Sequence, residues 1–288
     1  MPRFDLKSFL QLEDRSTPAA VGGLDFSFNF TGLSEIAFDI GGSKLDLGAA
    51  VAIQLDGKIV VVGSAQSGAT DVDFAIARLN PDGTLDATFG SNGLRTVGID
   101  LSTPFVDRAT AVAIDSLGRI VVAGTAQAGA GTDTDFAVIR LLPNGDLDAE
   151  FDADGRQSIA FDVAGGTLED RAAGVAIDAQ DRIIIAGTVA AADAGDFDFG
   201  VARLLENGAP DTTFNSTGRV QVGFDLGGAN ADTASAVAID SQGRLVVAGT
   251  VQISNFGDTD FGVIRLLDNG TLDGGFSDDG RATAEFDL

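Results

Sequence analysis

The chain has 288 residues, of which 43 are acidic and 18 are basic, so its formal net charge is −25. This charge repels phosphate backbones and anionic lipids, and the sequence therefore predicts no nucleic-acid partner and no membrane insertion. Cys, His, Trp and Tyr are all absent, which excludes disulfides, zinc–thiolate sites and catalytic triads of the Ser-His-Asp and Cys-His kinds.

Residues 1–23 form the first segment of the chain, which is expected to be targeting-like or disordered. The segment lacks the apolar run of a secretory signal, because Phe9 and Leu10 are soon followed by Glu13 and Asp14. Its residues 12–19 resemble a short segment found ahead of large exported bacterial repeat proteins. We therefore expect a secreted or cell-surface protein.

From residue 24 to residue 288 the chain repeats one unit about every 62 residues. The copies begin near Leu24, Leu85, Leu147, Pro210 and Leu272. A fixed period of this length is typical of repeat architectures in which each unit packs on its neighbours.

One copy, residues 107–162, illustrates the predicted strands. Runs rich in β-branched residues cover 111–115 and 119–125, and a third run covers 135–142. A fourth run covers 156–162, and Gly-containing turns separate the runs. Four strands without a helix indicate a blade, so the fold class is all-β, a β-propeller of four-stranded antiparallel blades.

The third strand is apolar on both faces. In the first copy Phe74 and Ile76 point one way, and Ala75 and Ala77 point the other way. A sheet that packs between two neighbours has this pattern. Four full repeats leave a surplus copy of the fourth strand ahead of them, at 34–39. Two alternatives therefore stay open: a four-bladed ring with a spare edge strand, or part of a larger propeller.

Two stretches of the chain carry a family resemblance. Residues 51–63 and 73–90, which include the hairpin Gly57 and the turn Asn80-Pro81-Asp82-Gly83, resemble the delta-60 repeat β-propeller family. The resemblance extends over about residues 24–288 and implies a propeller fold; it implies no activity. Asp181 replaces the glycine of the third hairpin turn, and we expect the turn to survive because Asp tolerates a left-handed backbone.

An arginine recurs in the third strand of every copy and shares a face with apolar residues. A buried guanidinium needs a carboxylate, and each copy offers an Asp a few residues later. We interpret these residues as one structural ion pair per blade, with a ligand-binding ring of arginines as the alternative. The pairs are Arg78 with Asp86, Arg140 with Asp148, Arg203 with Asp211, and Arg265 with Asp273.

A D-x-D motif stands at the entrance to the third strand of every copy. Residues two apart on a strand place both carboxylates on one side, and paired carboxylates suit Ca²⁺. Calcium is therefore the possible cofactor, with turn stabilisation as the alternative reading. The candidate metal ligands are Asp71, Asp73, Asp133, Asp135, Asp196, Asp198, Asp258 and Asp260.

Two further sets of aspartates are interpreted as structural. Asp115, Asp178 and Asp240 are predicted to cap their own hairpin turns. The aspartates that end the fourth strands are predicted to form strand-end hydrogen bonds; they are Asp39, Asp100, Asp162, Asp225 and Asp287.

We conclude from the sequence that the chain is not an enzyme but a structural or interaction module with an unknown protein or surface partner. One alternative is a calcium-binding adhesion module that uses the paired Asp loops. Another is a carboxylate-dependent hydrolase, because two carboxylates suffice for glycoside hydrolysis. The candidate acids for that reading do not recur between copies: Glu35, Glu150, Glu169, Glu206 and Glu285.

Overall fold

The computed structural model describes residues 23–39, 45–162, 168–193, 195–227, 230–254 and 257–285. Sixteen strands form four antiparallel sheets, and in each sheet the strands lie side by side in chain order. The first blade contains β1 Asp46–Ile53, β2 Ile59–Gln66, β3 Val72–Leu79 and β4 Leu94–Val97. The second blade contains β5 Asp107–Ile114, β6 Ile120–Gln127, β7 Thr134–Leu141 and β8 Arg156–Ile159.

The other two blades repeat this plan. The third blade contains β9 Arg171–Ile177, β10 Ile183–Ala190, β11 Phe197–Leu204 and β12 Arg219–Val222. The fourth contains β13 Thr233–Ile239, β14 Leu245–Gln252, β15 Thr259–Leu266 and β16 Arg281–Ala284. The prediction of four-stranded antiparallel blades is confirmed, although each fourth strand pairs over only four residues.

The hairpin turns form as their residues require. Gly57, Gly118 and Gly243 adopt positive φ angles, which glycine tolerates best. Asp181 takes the same place in the third blade with φ of 56°, so an aspartate supplies the left-handed residue there. The turn survives the loss of its glycine, as expected.

The hydrophobic core is divided between the interfaces of successive blades. Phe74 and Ile76 of the first blade pack with Ala137 and Ile139 of the second. Phe136 and Val138 point to the opposite side of that same sheet and pack against the third blade. The two-faced pattern of the third strand is therefore confirmed, because each sheet is enclosed by two neighbours.

The surplus half-repeat, residues 24–39, covers the free face of the first blade. Phe38 packs on Ala75 and Ala77 without forming a strand, so the strand predicted at 34–39 is not formed as such. The ring of Phe28 lies directly over Gly83, where an added Cβ would be 2.8 Å from it. Phe89, Phe151 and Phe214 cover the corresponding glycines of the later blades.

In the described part of the chain, the outer face of the fourth blade is more exposed. Phe261 is 59% exposed, whereas its equivalents Phe74, Phe136 and Phe199 are fully buried. Within the described ranges, no core cluster joins the fourth blade to the first. These residues therefore form a curved stack of four blades whose two ends differ.

Candidate metal centres

Three clusters of aspartates lie where one blade meets the next. In each cluster the two D-x-D carboxylates are joined by the aspartate that follows the fourth strand, and one carboxylate oxygen from each residue lies within 4.8 Å of the other two. The clusters are Asp71, Asp73 and Asp100; Asp133, Asp135 and Asp162; and Asp196, Asp198 and Asp225.

The local fold brings these three residues together. The D-x-D motif opens the third strand, which pairs in antiparallel register with the short fourth strand, so the end of the fourth strand returns to the start of the third. Asp100, Asp162 and Asp225 have φ between 36° and 56°, and this left-handed turn directs the chain away from the sheet after the strand. Asp tolerates that conformation better than most residues.

A buried aspartate of the following blade holds each turn in place. Asp107 accepts hydrogen bonds from the backbone N–H groups of Ile99 at 2.6 Å and Asp100 at 3.1 Å. Asp170 accepts one from Phe161 at 2.6 Å, and Asp232 one from Phe224 at 2.8 Å. These carboxylates have almost no exposed surface. Each cluster is therefore tied to two blades.

The crowded carboxylates of the clusters favour the binding of either a proton or a cation. Burial, with smaller contributions from neighbouring carboxylates, raises the pKa of Asp135 to about 7. The same causes raise the pKa of Asp73 and of Asp198 to about 6, although a hydrogen bond from Gln221 opposes the rise at Asp198. Burial also raises the pKa of Asp170 to about 6.

The fourth D-x-D motif is only partly described. Asp260 is buried, and Asp258 accepts a hydrogen bond from the Ser254 hydroxyl at 2.7 Å. The equivalent third aspartate, Asp287, lies outside the described residues. The same is true of residues 1–22, on which the targeting-like segment was predicted.

Sequence reasoning did not foresee the third member of each cluster or the buried aspartate that lies beside it. The aspartates after the fourth strands were interpreted as strand-end hydrogen bonders, but three of them join the D-x-D pairs. The buried aspartates Asp107, Asp170 and Asp232 were not singled out. Their recurrence at the start of each first-strand segment was the available signal.

The predicted arginine ion pairs are confirmed. The Nε–carboxylate distances are 2.8 Å for Arg78, Arg140 and Arg203, and 2.7 Å for Arg265. Each guanidinium also lies over a phenylalanine ring, for example Arg140 over Phe151 at 5.0 Å. In the first three blades Nη1 donates to a turn carbonyl of the next blade. The guanidinium groups of these arginines are thus held by contacts within the protein. This supports a structural role for the ion pairs rather than a ligand-binding ring of arginines.

The predicted hairpin caps also form. Asp115 accepts hydrogen bonds from the backbone N–H groups of Leu117 at 3.0 Å and Arg119 at 2.8 Å, and Asp178 and Asp240 make the same contacts. Their second oxygens pair with the arginine four residues later.

The glutamates considered for hydrolysis do not form one of the carboxylate clusters found in the described residues. Glu206 pairs with Arg119 at 2.8 Å, and Glu169 pairs with Arg171. Glu35, Glu150 and Glu285 are exposed. No geometry on these residues favours the hydrolase alternative.

A small cavity lies on the first blade where the other blades receive a phenyl ring. At Gly124, Gly187 and Gly249 the nearest side chain is the phenylalanine of the preceding blade, with Cζ within 2.9 Å of an added Cβ. The equivalent Gly63 instead lines a cavity of about 100 Å³ beside Phe38. The surroundings are mostly apolar, and Asp46 lies at the rim.

These features define a β-propeller repeat protein. Four segments match the family model described as a domain of unknown function (DUF5122) beta-propeller: residues 54–89, 118–151, 181–214 and 241–276. The chain carries four DUF5122 β-propeller repeats, and the matched segments run from the hairpin turn to the phenylalanine under the arginine. No curated protein matches the chain.

Several solved structures are similar to this chain at low sequence identity, each with a TM-score below 0.5. The glycoside hydrolase family 43 protein YxiA from Bacillus licheniformis is 12% identical, over 80% of this chain and 59% of its own, with a TM-score of 0.42. An endo-1,4-β-xylanase from Bacteroides thetaiotaomicron is 11% identical, over 86% and 78%, with a TM-score of 0.40. PorZ of Porphyromonas gingivalis, a surface component of the type-IX secretion system, is 12% identical, with a TM-score of 0.38.

The chain matches PorZ over 81% of its own length but spans only 28% of PorZ. These likenesses concern the fold alone. Within the described ranges, no helix has the length and hydropathy that a bilayer span requires.

Proposed function

We propose that this chain is a non-enzymatic β-propeller module, secreted or at the cell surface, that serves as a structural and interaction protein. The exposed outer face of the fourth blade is the observation that carries the proposal. The face presents Phe261, and its equivalents are buried by the next blade at three interfaces. We also propose that the repeats are delta-60 repeats, because the repeat length is about 62 residues.

The partner that best fits this face is the first blade of a second copy. The cavity beside Phe38 is lined by Gly63, which corresponds to the glycines that face a phenyl ring of the preceding blade at the three occupied sites. Phe261 of one copy would enter this cavity against Gly63 of the other, as Phe136 lies against Gly187 within the chain.

The fourth arginine supports the same partner. Arg78, Arg140 and Arg203 each donate Nη1 to a carbonyl of the next blade. Arg265 makes no such contact with the described residues, although it keeps its pair with Asp273. A blade that docks on this face would supply the acceptor. Residues 34–39 of one copy and β16 of the other are alternative fourth strands at this junction, so association displaces one of them.

Light scattering coupled to size-exclusion chromatography tests the association. We expect the average mass to rise with protein concentration, and to rise further with salt because both copies are strongly acidic. Phe261→Asp should remove the effect, and Leu117→Asp, at a similarly exposed residue in the hairpin of the second blade, should preserve it. A monomer at every concentration and salt level would refute the second copy as the partner.

The non-enzymatic part of the proposal has its own test. Purified protein incubated with glycosides and lactones should leave every substrate intact. Turnover that persists through purification and is lost on substitution of a cluster aspartate would overturn it.

A further inference from the structure

We propose that the three aspartate clusters are divalent-cation sites of the Ca²⁺ type, each located where one blade meets the next. The ligands are the two D-x-D carboxylates and the aspartate after the fourth strand. The buried aspartate of the following blade accepts a backbone hydrogen bond from the residue just before the third ligand, and in the first cluster from the third ligand Asp100 as well.

The second cluster gives the strongest support. Asp135 is only 8% exposed. No described donor contacts its carboxylate, which lies within 4.8 Å of those of Asp133 and Asp162. A buried carboxylate without a donor is costly unless it holds a proton or a cation.

The other two clusters each contain a buried carboxylate oxygen without a described hydrogen-bond donor. Oδ1 of Asp71 and Oδ1 of Asp196 are buried and accept no hydrogen bond from the described residues. Surface aspartates would instead point their oxygens to water or to backbone N–H groups, as Asp56 and Asp154 do. The clusters therefore differ from the turn-capping aspartates of the same chain.

The oxygen-only ligand set defines the class of ion. Three carboxylates provide three to six oxygens, and water can complete the six to eight that Ca²⁺ takes. The absence of His and Cys leaves a hard cation as the ion that fits. Because Asp100 is held by Asp107 of the next blade, a bound ion would stabilise the interface between blades as well as the cluster.

Titration calorimetry on chelator-treated full-length protein tests the proposal. We expect Ca²⁺ binding in a buffer of about 0.15 M salt, which screens the general attraction of an acidic surface. Asp135→Asn should reduce the number of tight sites by one and weaken binding there at least ~10-fold, since it removes one ligand charge. Asp152→Asn changes an exposed aspartate of the same blade with positive φ, and it should bind as the wild type does.

Thermal unfolding by circular dichroism separates binding from a failure to fold. Without a cation, Asp135→Asn should be at least as stable as the wild type, because it removes a repelling charge. With calcium the wild type should gain the higher midpoint, because a ligand that binds only the folded state stabilises it. Absence of calcium heat, binding that disappears at about 0.15 M salt, or an unchanged number of sites in Asp135→Asn would overturn the proposal. Equal binding of Mg²⁺ would refute the calcium type.

Discussion

Arg203 of the third blade donates a hydrogen bond from Nη1 to the carbonyl oxygen of Asp268 in the fourth blade, at 2.7 Å. The same guanidinium pairs through Nε with Asp211 of its own blade at 2.8 Å and lies 4.8 Å over the ring of Phe214. One side chain therefore joins a strand, a turn and the neighbouring blade. The arrangement repeats at each of the three interfaces between successive blades.

The first prediction concerns this arginine. Arg140→Met removes the close partner of the buried Asp148 carboxylate, which keeps only the longer contact to Arg119 at 3.9 Å, and it removes the contact to the third blade. Loss of one partner of a buried pair costs about 3–5 kcal/mol. The matched change Arg265→Met should cost much less, because that side chain is 18% exposed and has no acceptor in a following blade. Urea unfolding followed by circular dichroism measures both, and equal losses would contradict the interpretation.

A second pair of variants tests the blade packing. Phe136→Ala removes a fully buried ring that lies against Gly187, and it should destabilise the fold by about 3–5 kcal/mol. Phe261→Ala makes the same change at the same strand position in the fourth blade. Its ring is mostly exposed, so we expect a loss below about 1 kcal/mol in the monomer. The urea midpoints at low protein concentration decide the comparison, and a similar loss in both would show that the fourth face is covered in solution.

The N-terminal half-repeat supports a third prediction. Phe28 covers Gly83 of the first blade, whereas Phe30, two residues later, is almost fully exposed. Phe28→Ala should lower the free energy of unfolding by about 1–3 kcal/mol, because a partly buried aromatic contact is lost. Phe30→Ala should leave it nearly unchanged. Protection of the first-blade amides against hydrogen exchange should fall in the first variant only; equal protection in both would rule out a covering role for residues 24–39.

The raised pKa values predict an unusual pH dependence in the presence of chelator. Asp73, Asp135 and Asp198 bind protons more tightly when folded than when unfolded, where the ordinary value is about 3.9. Their contribution to the stability of the folded state is complete below the unfolded-state pKa of about 3.9. It is lost as the pH rises through about 6 to 7.

Other groups act in the opposite direction at low pH. Hydrogen bonds from Thr88, together with Lys58 and Arg78, hold the pKa of Asp86 well below its usual range despite burial, and Asp211 is lowered in the same way by Thr213 and Arg203. Stability from these residues is lost as the pH falls below about 4.

We therefore expect the free energy of unfolding to be greatest between about pH 4 and 6 and to fall toward neutral pH. Urea titrations across this range measure it. Replacing Asp73, Asp135 and Asp198 together by Asn should flatten the decline toward neutral pH. A wild-type stability that rises from pH 5 to pH 7 in chelator would contradict the assignment of these carboxylates.

The pattern of neighbouring residues in the sequence was sufficient to predict much of the fold. The alternation of Phe74, Ala75, Ile76 and Ala77 predicted a sheet that packs on both sides, because a strand turns successive side chains to opposite faces. The pairing of Arg78 with Asp86 also followed locally, since a buried guanidinium needs a carboxylate and a turn returns one within a few residues.

The candidate sites depended on longer connections. Asp73 and Asp100 are separated by a whole strand pair in the chain, and only the antiparallel return of β4 along β3 brings their carboxylates together. The role of Asp107 required the position of the next blade as well. A D-x-D motif in a chain with 37 aspartates has no local feature that marks a third partner.

By itself, the sequence determined the repeat, the four strands of each blade, the burial of both faces and the arginine pairs, because these follow from periodicity over neighbouring residues. The tertiary structure decided which aspartates converge and which blade face stays exposed. The convergence depends on how strands pair across a blade. The cover of the first blade depends on Phe28 and Phe38, which pack on residues distant in the chain, whereas Phe261 at the other end stays exposed.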